Sequence, residues 1–390
     1  MARFLHTADW QLGMVRAFLP PEAQARYDEA RIDAIRALGR LAEAEGCAFI
    51  VVCGDVFEHA QIGARSAARS MRALRALPVP VYLLPGNHDP LNAGSVYRSR
   101  WFTTERPEHV TVLDAPGLVR ISQEVELLAA PWYGKQSPVP QLDAMAAQVE
   151  PAAQGTVRIG VGHGATEDIA GDMTGTALRV GRFTEALNRR ALDYVALGDH
   201  HSLRDVGNLG KIWYPGTPEP TRFTETAPGH VLLVELEPDI PPKVTPHRVG
   251  RWTLVEQKWE LHENADVKAL LAWLDAFPDE SRTVAKPVLS GSLSLSDHAY
   301  LTDGLDVRRD LFAAIPDSSR TTLSIRAEDT DLDGLDLTGF AADAAADLRE
   351  RGGPAALDAL ELLLRLAARA DDAGIGTSAG PAAGTGAATA

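Results

Sequence analysis

Short apolar runs alternate with longer amphipathic stretches over the first two-thirds of the chain. Residues 49–53 (Phe-Ile-Val-Val-Cys) form a continuous apolar run, which is typical of a strand that is buried on both faces. Residues 22–45 place apolar side chains at the spacing of a helix, and a helix over 65–77 and a strand over 79–84 repeat the alternation. Further strands are predicted over 3–7, 110–113, 125–130, 157–161 and 194–197. This order of elements predicts an α/β layered fold.

The pattern changes near residue 213, where strand-like segments become more frequent. Two strand–helix–strand units follow and predict a smaller α+β domain. A Leu-rich amphipathic helix is predicted over 354–370, with Pro354 in its first turn. The Ala/Gly/Thr/Ser/Pro tail beyond it has almost nothing to bury and is expected to be disordered. The predicted divisions are a main domain over 1–250, the α+β domain over 251–335, C-terminal helices over 336–370 and a disordered tail over 371–390.

Composition narrows the expected location of the protein. The sequence has no run of about 18 apolar residues, so no transmembrane helix is predicted. Residues 1–6 lack the apolar stretch of a signal peptide. The two cysteines, Cys47 and Cys53, are too few for a disulfide framework, and Cys53 ends an apolar run as a buried thiol does. A cytoplasmic protein is expected.

The formal charge of −15 bears on the substrates that the chain can bind. Phosphate contacts in nucleic-acid binders come from Lys and Arg, so composition alone favours an enzyme that acts on small molecules. Metal ions at an acidic site can supply local positive charge, and a partner protein can supply the rest. Net charge therefore does not exclude a nucleic acid as the substrate.

Five polar clusters each follow a predicted strand directly. They are Asp9-Trp10-Gln11, Gly54-Asp55, Gly86-Asn87-His88-Asp89, Gly162-His163-Gly164 and Gly198-Asp199-His200-His201. Ligands bind at the carboxyl ends of the strands in open α/β sheets, so the clusters are expected to converge. Their carboxylates, amide oxygens and imidazoles form a set that binds two divalent ions. Two ions about 3.5–4 Å apart clamp a phosphate, activate a water and stabilise the leaving oxygen. The sequence therefore predicts a two-metal phosphoesterase.

The motifs D-x-(H/Q), G-D, G-N-H-D, G-H and G-x-x-H, in that order, resemble those of the calcineurin-like metallophosphoesterase superfamily. Residues 6–13, 54–57 and 214–220 narrow the resemblance to the SbcD-type DNA repair nucleases, the catalytic partners of an SMC-like ATPase called SbcC. The resemblance covers about residues 1–260. It implies a β-sandwich core flanked by helices, with a smaller C-terminal α+β capping domain, and DNA as the substrate. A homodimer is a further family-based expectation.

The resemblance also implies roles for individual residues of the five clusters. The first metal would be held by Asp9, Asp55 and His201, with Gln11 beside them. The second metal would be held by Asp55 as a bridge, together with Asn87, His163 and Asp199. His88 would be the catalytic acid that faces the scissile phosphate, and Asp89 would be its orienting partner.

Two positions depart from the family pattern. Gln11 stands where the family usually has a ligand His, and Asp199 stands where the last motif usually has its first His. Because Gln is a weaker neutral ligand and Asp a harder anionic one, we hypothesise that the site prefers Mn²⁺, or else Mg²⁺, to softer ions. Gln11 can instead be a polar neighbour of the metal, and Asp199 a turn residue. Glu58 stands where some relatives carry a His, and whether it or His59 assists catalysis stays open.

Three functions are compatible with these motifs. The favoured one is a DNA exonuclease, with single-strand endonuclease activity as an option, that acts in DNA end processing, repair and recombination. Its ATP dependence would come from the SMC-like partner, since the sequence has no G-x-x-x-x-G-K-(S/T) loop. The second is a phosphodiesterase or phosphomonoesterase acting on nucleotides or other small phosphates, which suits the acidic composition. The third is a DNA-binding scaffold subunit with a partly decayed metal site, supported only by Gln11 and Asp199.

Two interpretations remain open for each of several other features. Three arginines of the helix predicted over 65–77 can track a DNA backbone or form a solvated basic face; they are Arg65, Arg69 and Arg72. The leucines of the helix predicted over 354–370 can grip the ATPase, as the resemblance implies, or pack against their own domain. Trp10 can line the site or pack in the core, and His200 can face the site or point away from it.

Overall fold

The structure of the chain is a computed structural model. It describes residues 1–134, 141–170, 177–326, 340–353, 355–360, 362, 363 and 366. The chain divides into two compact units, Met1–Leu254 and Val255–Ala390. The first unit contains all five polar clusters.

Twelve strands of the first unit, within the described residues, form two mixed sheets. In chain order they are Ala2–Thr7 (β1), Phe49–Cys53 (β2), Val81–Leu84 (β3), Val110–Val112 (β4), Gly117–Arg120 (β5), Val125–Ala129 (β6), Val157–His163 (β7), Tyr194–Gly198 (β8), Arg204–Asp205 (β9), Ile212–Tyr214 (β10), His230–Glu237 (β11) and Ile240–Arg248 (β12). The first sheet has the order β12-β11-β1-β2-β3-β4, and the second has the order β5-β6-β7-β8-β10-β9. β1 to β4 run parallel to one another, as do β6, β7, β8 and β10.

The two sheets pack face to face. One cluster of buried apolar side chains contains Phe4 and Phe49 from the first sheet and Ile159 and Tyr194 from the second. The rings of Phe4 and Phe49 are stacked with 4.8 Å between their centroids, and the Tyr194 ring meets Phe4 edge-on at 6.0 Å. Alternate side chains of these strands therefore fill the space between the sheets, and the core is a β-sandwich.

Helices cover the outer faces of the sandwich. They are Pro21–Ala44 (α1), Ala64–Arg75 (α2), Arg100–Glu105 (α3), Gln141–Gln148 (α4), Glu167–Ala170 (α5) and Val180–Asn188 (α6), with short 3-10 turns at Val96–Arg98 and Val206–Asn208. Apolar residues of α1, α2 and α3 pack on the first sheet, and those of α4 and α6 pack on the second. The expected β-sandwich flanked by helices is thus confirmed. No described helix has the length and apolar character needed to cross a membrane.

The parallel strands explain how distant motifs meet. β1, β2 and β3 end at Thr7, Cys53 and Leu84, and a polar cluster follows each of them within a few residues. β7 and β8 end at His163 and Gly198 and supply the last two clusters from the other sheet. Because these strands run in the same direction within each sheet, their carboxyl ends lie together at one edge.

The second unit is a smaller α+β structure. Its elements are Thr253–Leu261 (β13), Asn264–Asp275 (α7), a 3-10 turn at Glu280–Arg282, Thr283–Ser294 (β14), Leu295–Arg309 (α8), Ser324–Arg326 (β15) and Phe340–Arg351 (α9). The three strands form one sheet in the order β13-β14-β15, with β14 and β15 parallel. Apolar residues of the sheet and of α7 and α8 form one core. The predicted alternation of strands and helices is observed in this unit.

The helix predicted over 354–370 is described only in part. Residues 355–360, 362, 363 and 366 are helical. Leu360 is buried against Leu295 and Ala345 of the same unit, whereas Leu362 and Leu366 are more than half exposed. Leu360 therefore packs against its own domain, whereas Leu362 and Leu366 remain on the surface. The tail predicted over 371–390 lies outside the described residues.

Candidate metal centre

Ligand atoms from both sheets meet in one buried cluster. One side-chain atom each of Asp9, Asp55 and His163 lies within 4.8 Å of the other two, and all three residues are buried. Asp9 follows β1, Asp55 follows β2, and His163 ends β7. Two carboxylates and an imidazole from three distant segments thus form the centre of the site.

The loop after β1 is held against the loop after β2 by backbone hydrogen bonds. The amide of Asp9 donates to the carbonyl of Gly54 at 3.0 Å, and the amide of Gln11 donates to the carbonyl of Asp55 at 2.9 Å. Asp9, Gln11 and Asp55 all have left-handed backbone, with φ of 52°, 45° and 54°. Such a conformation costs a non-glycine residue about 1–2 kcal/mol. Surrounding contacts must over-determine this geometry for it to persist.

His163 has a fixed tautomer, and three side-chain oxygens lie near its Nε2. Its Nδ1 donates to the carbonyl of Cys53 at 2.8 Å, because a carbonyl oxygen can only accept. Its Nε2 faces Asn87 Oδ1 at 2.7 Å, Asp55 Oδ1 at 3.4 Å and Asp199 Oδ1 at 3.7 Å. Burial opposes a charge on the ring, but the carboxylates outweigh it and raise the pKa of His163 well above its usual range. A proton or a metal cation must therefore occupy the space beyond Nε2.

Two glycines allow this close approach. Gly54 has φ 90°, and a Cβ placed on it would lie 2.0 Å from Nδ1 of His163. A Cβ on Gly86 would lie 2.2 Å from Oδ1 of Asp55. Neither position tolerates a side chain without moving a residue of the cluster, which explains the glycine that precedes each of these motifs.

The two buried carboxylates differ in pKa. Burial raises the pKa of Asp9 to about 7, against the opposing effect of His201 and His163. Burial also acts to raise the pKa of Asp55, but His163 and His88 outweigh it and the pKa is lowered. Asp55 therefore stays ionised within the protein alone, whereas Asp9 is only partly ionised near neutral pH, and a bound cation would favour its ionised form.

His88 lies at the open side of the cluster. Its backbone amide donates to Oδ1 of Asp55 at 2.9 Å, and its ring Nδ1 donates to the carbonyl of Glu58 at 2.9 Å. Nε2 is then the unprotonated nitrogen of the neutral ring, and it lies 4.0 Å from Oδ2 of Asp55. The side chain is 37% exposed, so the ring can meet a substrate. His59 is exposed, and the Glu58 carboxylate lies 3.8 Å from Nδ1 of His88.

Asp89 does not orient the His88 ring as the resemblance implied. Its buried carboxylate accepts from the amides of Gly86 at 2.7 Å and Phe57 at 3.1 Å, and from the hydroxyl of Tyr97 at 2.6 Å. Burial raises the pKa of Asp89 to about 6. Asp89 thus joins the loop after β3 to the loop after β2, and the contact that fixes the His88 ring comes from the Glu58 carbonyl.

His201 is oriented by two residues that the sequence did not single out. Its Nδ1 lies 2.7 Å from Oγ1 of Thr221 and 3.1 Å from Oε1 of Glu225. Burial opposes a charge on His201, but the Glu225 carboxylate outweighs it and raises the pKa of His201. With Nδ1–H directed to this carboxylate, Nε2 carries the lone pair that a metal would bind, and it lies 3.7 Å from Oδ1 of Asp9. A carboxylate behind a ligand imidazole is a common arrangement at protein metal sites.

Gln11 and Asp199, the two residues that depart from the family pattern, both lie at the cluster. The Gln11 amide nitrogen is 3.2 Å from Nε2 of His201, and its Oε1 is buried with no hydrogen-bond partner among the described residues. The amide of Asp199 donates to the Asp9 carboxylate at 3.0 Å, and its own carboxylate, one-third exposed, faces His163. Both side chains are within reach of a shared metal centre.

Other residues near the site have structural roles. Trp10 is buried, and its indole N–H donates to Thr7 at 3.0 Å, so it packs in the core. The His200 ring packs edge-on against Tyr214, with 5.4 Å between centroids. The indole N–H of Trp132 donates to the His163 carbonyl at 2.7 Å. No sequence pattern pointed to Trp132, because it lies far from the motifs along the chain.

The donors fit divalent ions. The cluster offers carboxylates, amide oxygens and imidazoles, which together suit two hard or borderline ions. The buried Oε1 of Gln11 has no partner among the described residues, Nε2 of His163 faces three side-chain oxygens, and burial disfavours the charged form of Asp9. A bound cation would satisfy each of these atoms.

The chain matches a family model, and it is similar to a known bacterial protein and to a solved structure. The family model described as calcineurin-like phosphoesterase matches residues 2–203. An uncharacterized metallophosphoesterase, YhaO of Bacillus subtilis (strain 168), is 24% identical over 243 residues, which is 60% of this chain. The match spans 57% of the length of that relative. The crystal structure of TT1561 of Thermus thermophilus is 13% identical, with a TM-score of 0.38, over 64% of this chain and 99% of that one.

Proposed function

The chain belongs to the calcineurin-like phosphoesterase family, and from this premise we propose that it is a two-metal DNA nuclease that acts in DNA end processing, repair and recombination. Phosphoester hydrolysis is the chemistry of the family. The observation that supports two metals is the buried cluster of Asp9, Asp55 and His163, with further oxygen and nitrogen donors on either side. DNA as the substrate and an SMC-like ATPase as the partner are proposals based on the resemblance to SbcD-type nucleases.

The residues around the cluster divide into two sets of ligands. The first ion would be held by Asp9, Gln11, Asp55 and His201, and the second by Asp55, Asn87, His163 and Asp199. When bound, the ions supply the positive charge that polarises the phosphate and lowers the pKa of the attacking water. The protein holds the donors in place through the Cys53 carbonyl behind His163 and the Glu225 carboxylate behind His201.

His88 is suited to hold the proton that the leaving oxygen needs. Its Nδ1–H is committed to the Glu58 carbonyl, so its partly exposed Nε2 is the atom that carries and gives up the proton. A general acid of this kind contributes about 10²- to 10⁴-fold to the rate. The reaction is a direct attack of water, so the protein forms no covalent intermediate with the substrate.

Exposed arginines of α2 support a polymeric, anionic substrate. α2 begins nine residues after Asp55, and Arg65 and Arg72 on it are exposed. Arg69 instead pairs with Glu29 of α1 and Arg75 with Glu105 of α3, so only part of the predicted arginine face is available for phosphates. The net charge of −15 still favours help from bound cations or a partner.

Mn²⁺ is the ion we propose first, and Mg²⁺ second. Asp199 adds an anionic oxygen where the family usually has an imidazole, and Gln11 adds a neutral oxygen, so the site is richer in hard donors. Isothermal titration with Mn²⁺ and Zn²⁺ checks this. Two equally tight Zn²⁺ sites with no preference for Mn²⁺ would contradict the proposal.

The nuclease is tested on end-labelled duplex DNA with Mn²⁺, next to the variants His88→Ala and Asp55→Ala and the dye substrate bis(para-nitrophenyl) phosphate. We expect wild type to shorten the DNA and both variants to fail. Dye hydrolysis without DNA cleavage, also in the presence of an SMC-like ATPase, would favour an enzyme of small phosphates. No hydrolysis of either substrate by metal-loaded protein would favour a scaffold subunit.

A further inference from the structure

A buried arginine is one of the contacts that hold the strained loop carrying Asp9 and Gln11. Both residues have left-handed backbone, which persists only where contacts over-determine it. Trp10 lies between them, and its carbonyl oxygen accepts a hydrogen bond from Nη1 of Arg31 at 2.8 Å. The carbonyl of Asp9 is held in turn by Oγ1 of Thr217 at 2.9 Å.

Arg31 belongs to α1 and is only 4% exposed. Its Nη2 donates to the hydroxyl of Tyr27 at 2.5 Å and lies 3.5 Å from Sδ of Met14. Its guanidinium also lies 4.7 Å from the centroid of the Tyr27 ring. The acceptors in these contacts are all uncharged. The Glu219 carboxylate, itself buried, is close enough for Arg31 to oppose the rise that burial causes in the pKa of Glu219. Burying a guanidinium is costly even when a carboxylate compensates part of its charge.

Tyr27 extends the contact to a second loop of the metal centre. Its hydroxyl donates to the carbonyl of Pro220 at 2.6 Å. Pro220 precedes Thr221, whose Oγ1 lies 2.7 Å from Nδ1 of His201. One turn of α1 therefore holds both the loop of Asp9 and Gln11 and the loop that supports His201. These are residues assigned to the first ion, whereas Asn87 and His163 of the second ion are held by other contacts.

We propose that Arg31, with the hydroxyl of Tyr27, is a positioning residue for the first metal ion and sets its affinity without touching it. This inference rests on the proposed two-metal function. The guanidinium holds the Trp10 carbonyl and the Tyr27 hydroxyl at once, and an apolar side chain can hold neither.

The test is a two-site titration of the whole chain with Mn²⁺ by isothermal calorimetry. The variants are Arg31→Met, Arg31→Lys and Tyr27→Phe, and a His201→Asn variant identifies the first site. Arg158→Met is the matched control, because Arg158 is also buried and hydrogen-bonded but lies at the start of β7, at the opposite end of that strand from His163. Urea unfolding with a chelator present gives the stability of each variant without metal.

We expect Arg31→Met to weaken the first site about ten-fold or more and to leave the second site unchanged. Arg31→Lys keeps one donor and should fall between Arg31→Met and wild type. Arg158→Met should lose stability and keep both affinities. If Arg31→Met does not fold, Tyr27→Phe provides the test, with a smaller loss at the first site only.

Unchanged affinity of the first site in the Arg31 and Tyr27 variants would overturn the inference and leave the proposed function intact. Equal weakening of both sites, matched by Arg158→Met, would show a general structural role and also overturn it. A wild-type chain that binds no Mn²⁺ would instead overturn the proposed function and this inference together.

Discussion

Nδ1 of His163 donates a hydrogen bond to the carbonyl oxygen of Cys53 at 2.8 Å, and this bond joins the two sheets at the metal centre. His163 ends β7 of the second sheet, and Cys53 ends β2 of the first. The bond leaves Nε2 of His163 directed at the Asp55 carboxylate. The packing of the two sheets and the geometry of the ligands therefore depend on each other.

Gly54→Ala should break this relationship. A Cβ at Gly54 would lie 2.0 Å from Nδ1 of His163, on backbone with φ 90°. We expect a loss of about 3 kcal/mol in the free energy of unfolding from left-handed strain and overpacking together, and loss of metal binding. Gly155→Ala is the control, since Gly155 has φ 80° with nothing within 4 Å, and should cost only the backbone strain. Equal losses in urea unfolding for the two variants would refute the explanation.

Glu225→Gln should weaken the first metal site about ten-fold, because the carboxylate behind a ligand imidazole fixes its tautomer and raises its basicity. Oε1 of Glu225 lies 3.1 Å from Nδ1 of His201. Titration with Mn²⁺ measures the effect, and Glu237→Gln, an exposed residue of β11, serves as the control. An unchanged first site would mean that Thr221 alone orients the ring.

His88→Asn should slow DNA cleavage by about 10²- to 10⁴-fold while both metals stay bound. The loss should be much smaller on bis(para-nitrophenyl) phosphate, because nitrophenolate leaves without needing a proton. His59→Asn should keep activity near wild type on both substrates. His59 is exposed, and the imidazole that contacts the Glu58 carbonyl is that of His88. Steady-state rates on both substrates decide this, and equal losses on DNA and dye would contradict the role of His88 as an acid.

His6 should make stability depend on pH. Burial lowers the pKa of His6 to about 3, and the neutral ring is satisfied by Tyr194 and the Leu197 carbonyl. Above its ordinary pKa of about 6.5, folded and unfolded states both hold a neutral ring, so His6 has no effect. Between pH 6.5 and about 3 only the unfolded state binds the proton, so stability falls as pH falls, by up to about 1.4 kcal/mol per pH unit.

His6→Gln can keep both hydrogen bonds and removes the titration. Urea unfolding with a chelator at pH 7.5 and pH 5.5 should show wild type losing about 1 kcal/mol more than the variant over this interval. Parallel losses in the two proteins would show that His6 titrates normally or that its burial is relieved.

The α/β layers and the convergence of the motifs could be predicted from the sequence because both follow from local pattern. The apolar run over 49–53 is β2 as observed, and the clusters follow parallel strands. No strand is predicted over 240–248, a segment in which Pro241, Pro242 and Pro246 lack the N–H that a strand donates. The structure places β12 at the edge of its sheet, where a strand tolerates proline.

The contacts that support the ligands could not be predicted from the sequence. Thr221 and Glu225 lie 20 and 24 residues from His201 in a loop without periodicity, so only the fold brings them together. The resemblance implies that Asp89 orients its neighbour His88, yet the Asp89 carboxylate accepts from the amide of Phe57 and the hydroxyl of Tyr97. Adjacency in sequence does not determine the direction of a side chain at a turn.

The position of β1 in its sheet has a consequence for biosynthesis. β1 lies between β2 and β11, and Ala2 pairs with Leu236. Asp9 therefore leaves the ribosome well before β11, and its strand gains its antiparallel neighbour only after Glu237 has been made. At about 5–20 residues per second this interval is on the order of ten seconds or more. During that time the apolar strands of a nascent chain lack their final cover, so we expect the sandwich to close late and its uncovered strands to be the part of the nascent chain most prone to aggregation.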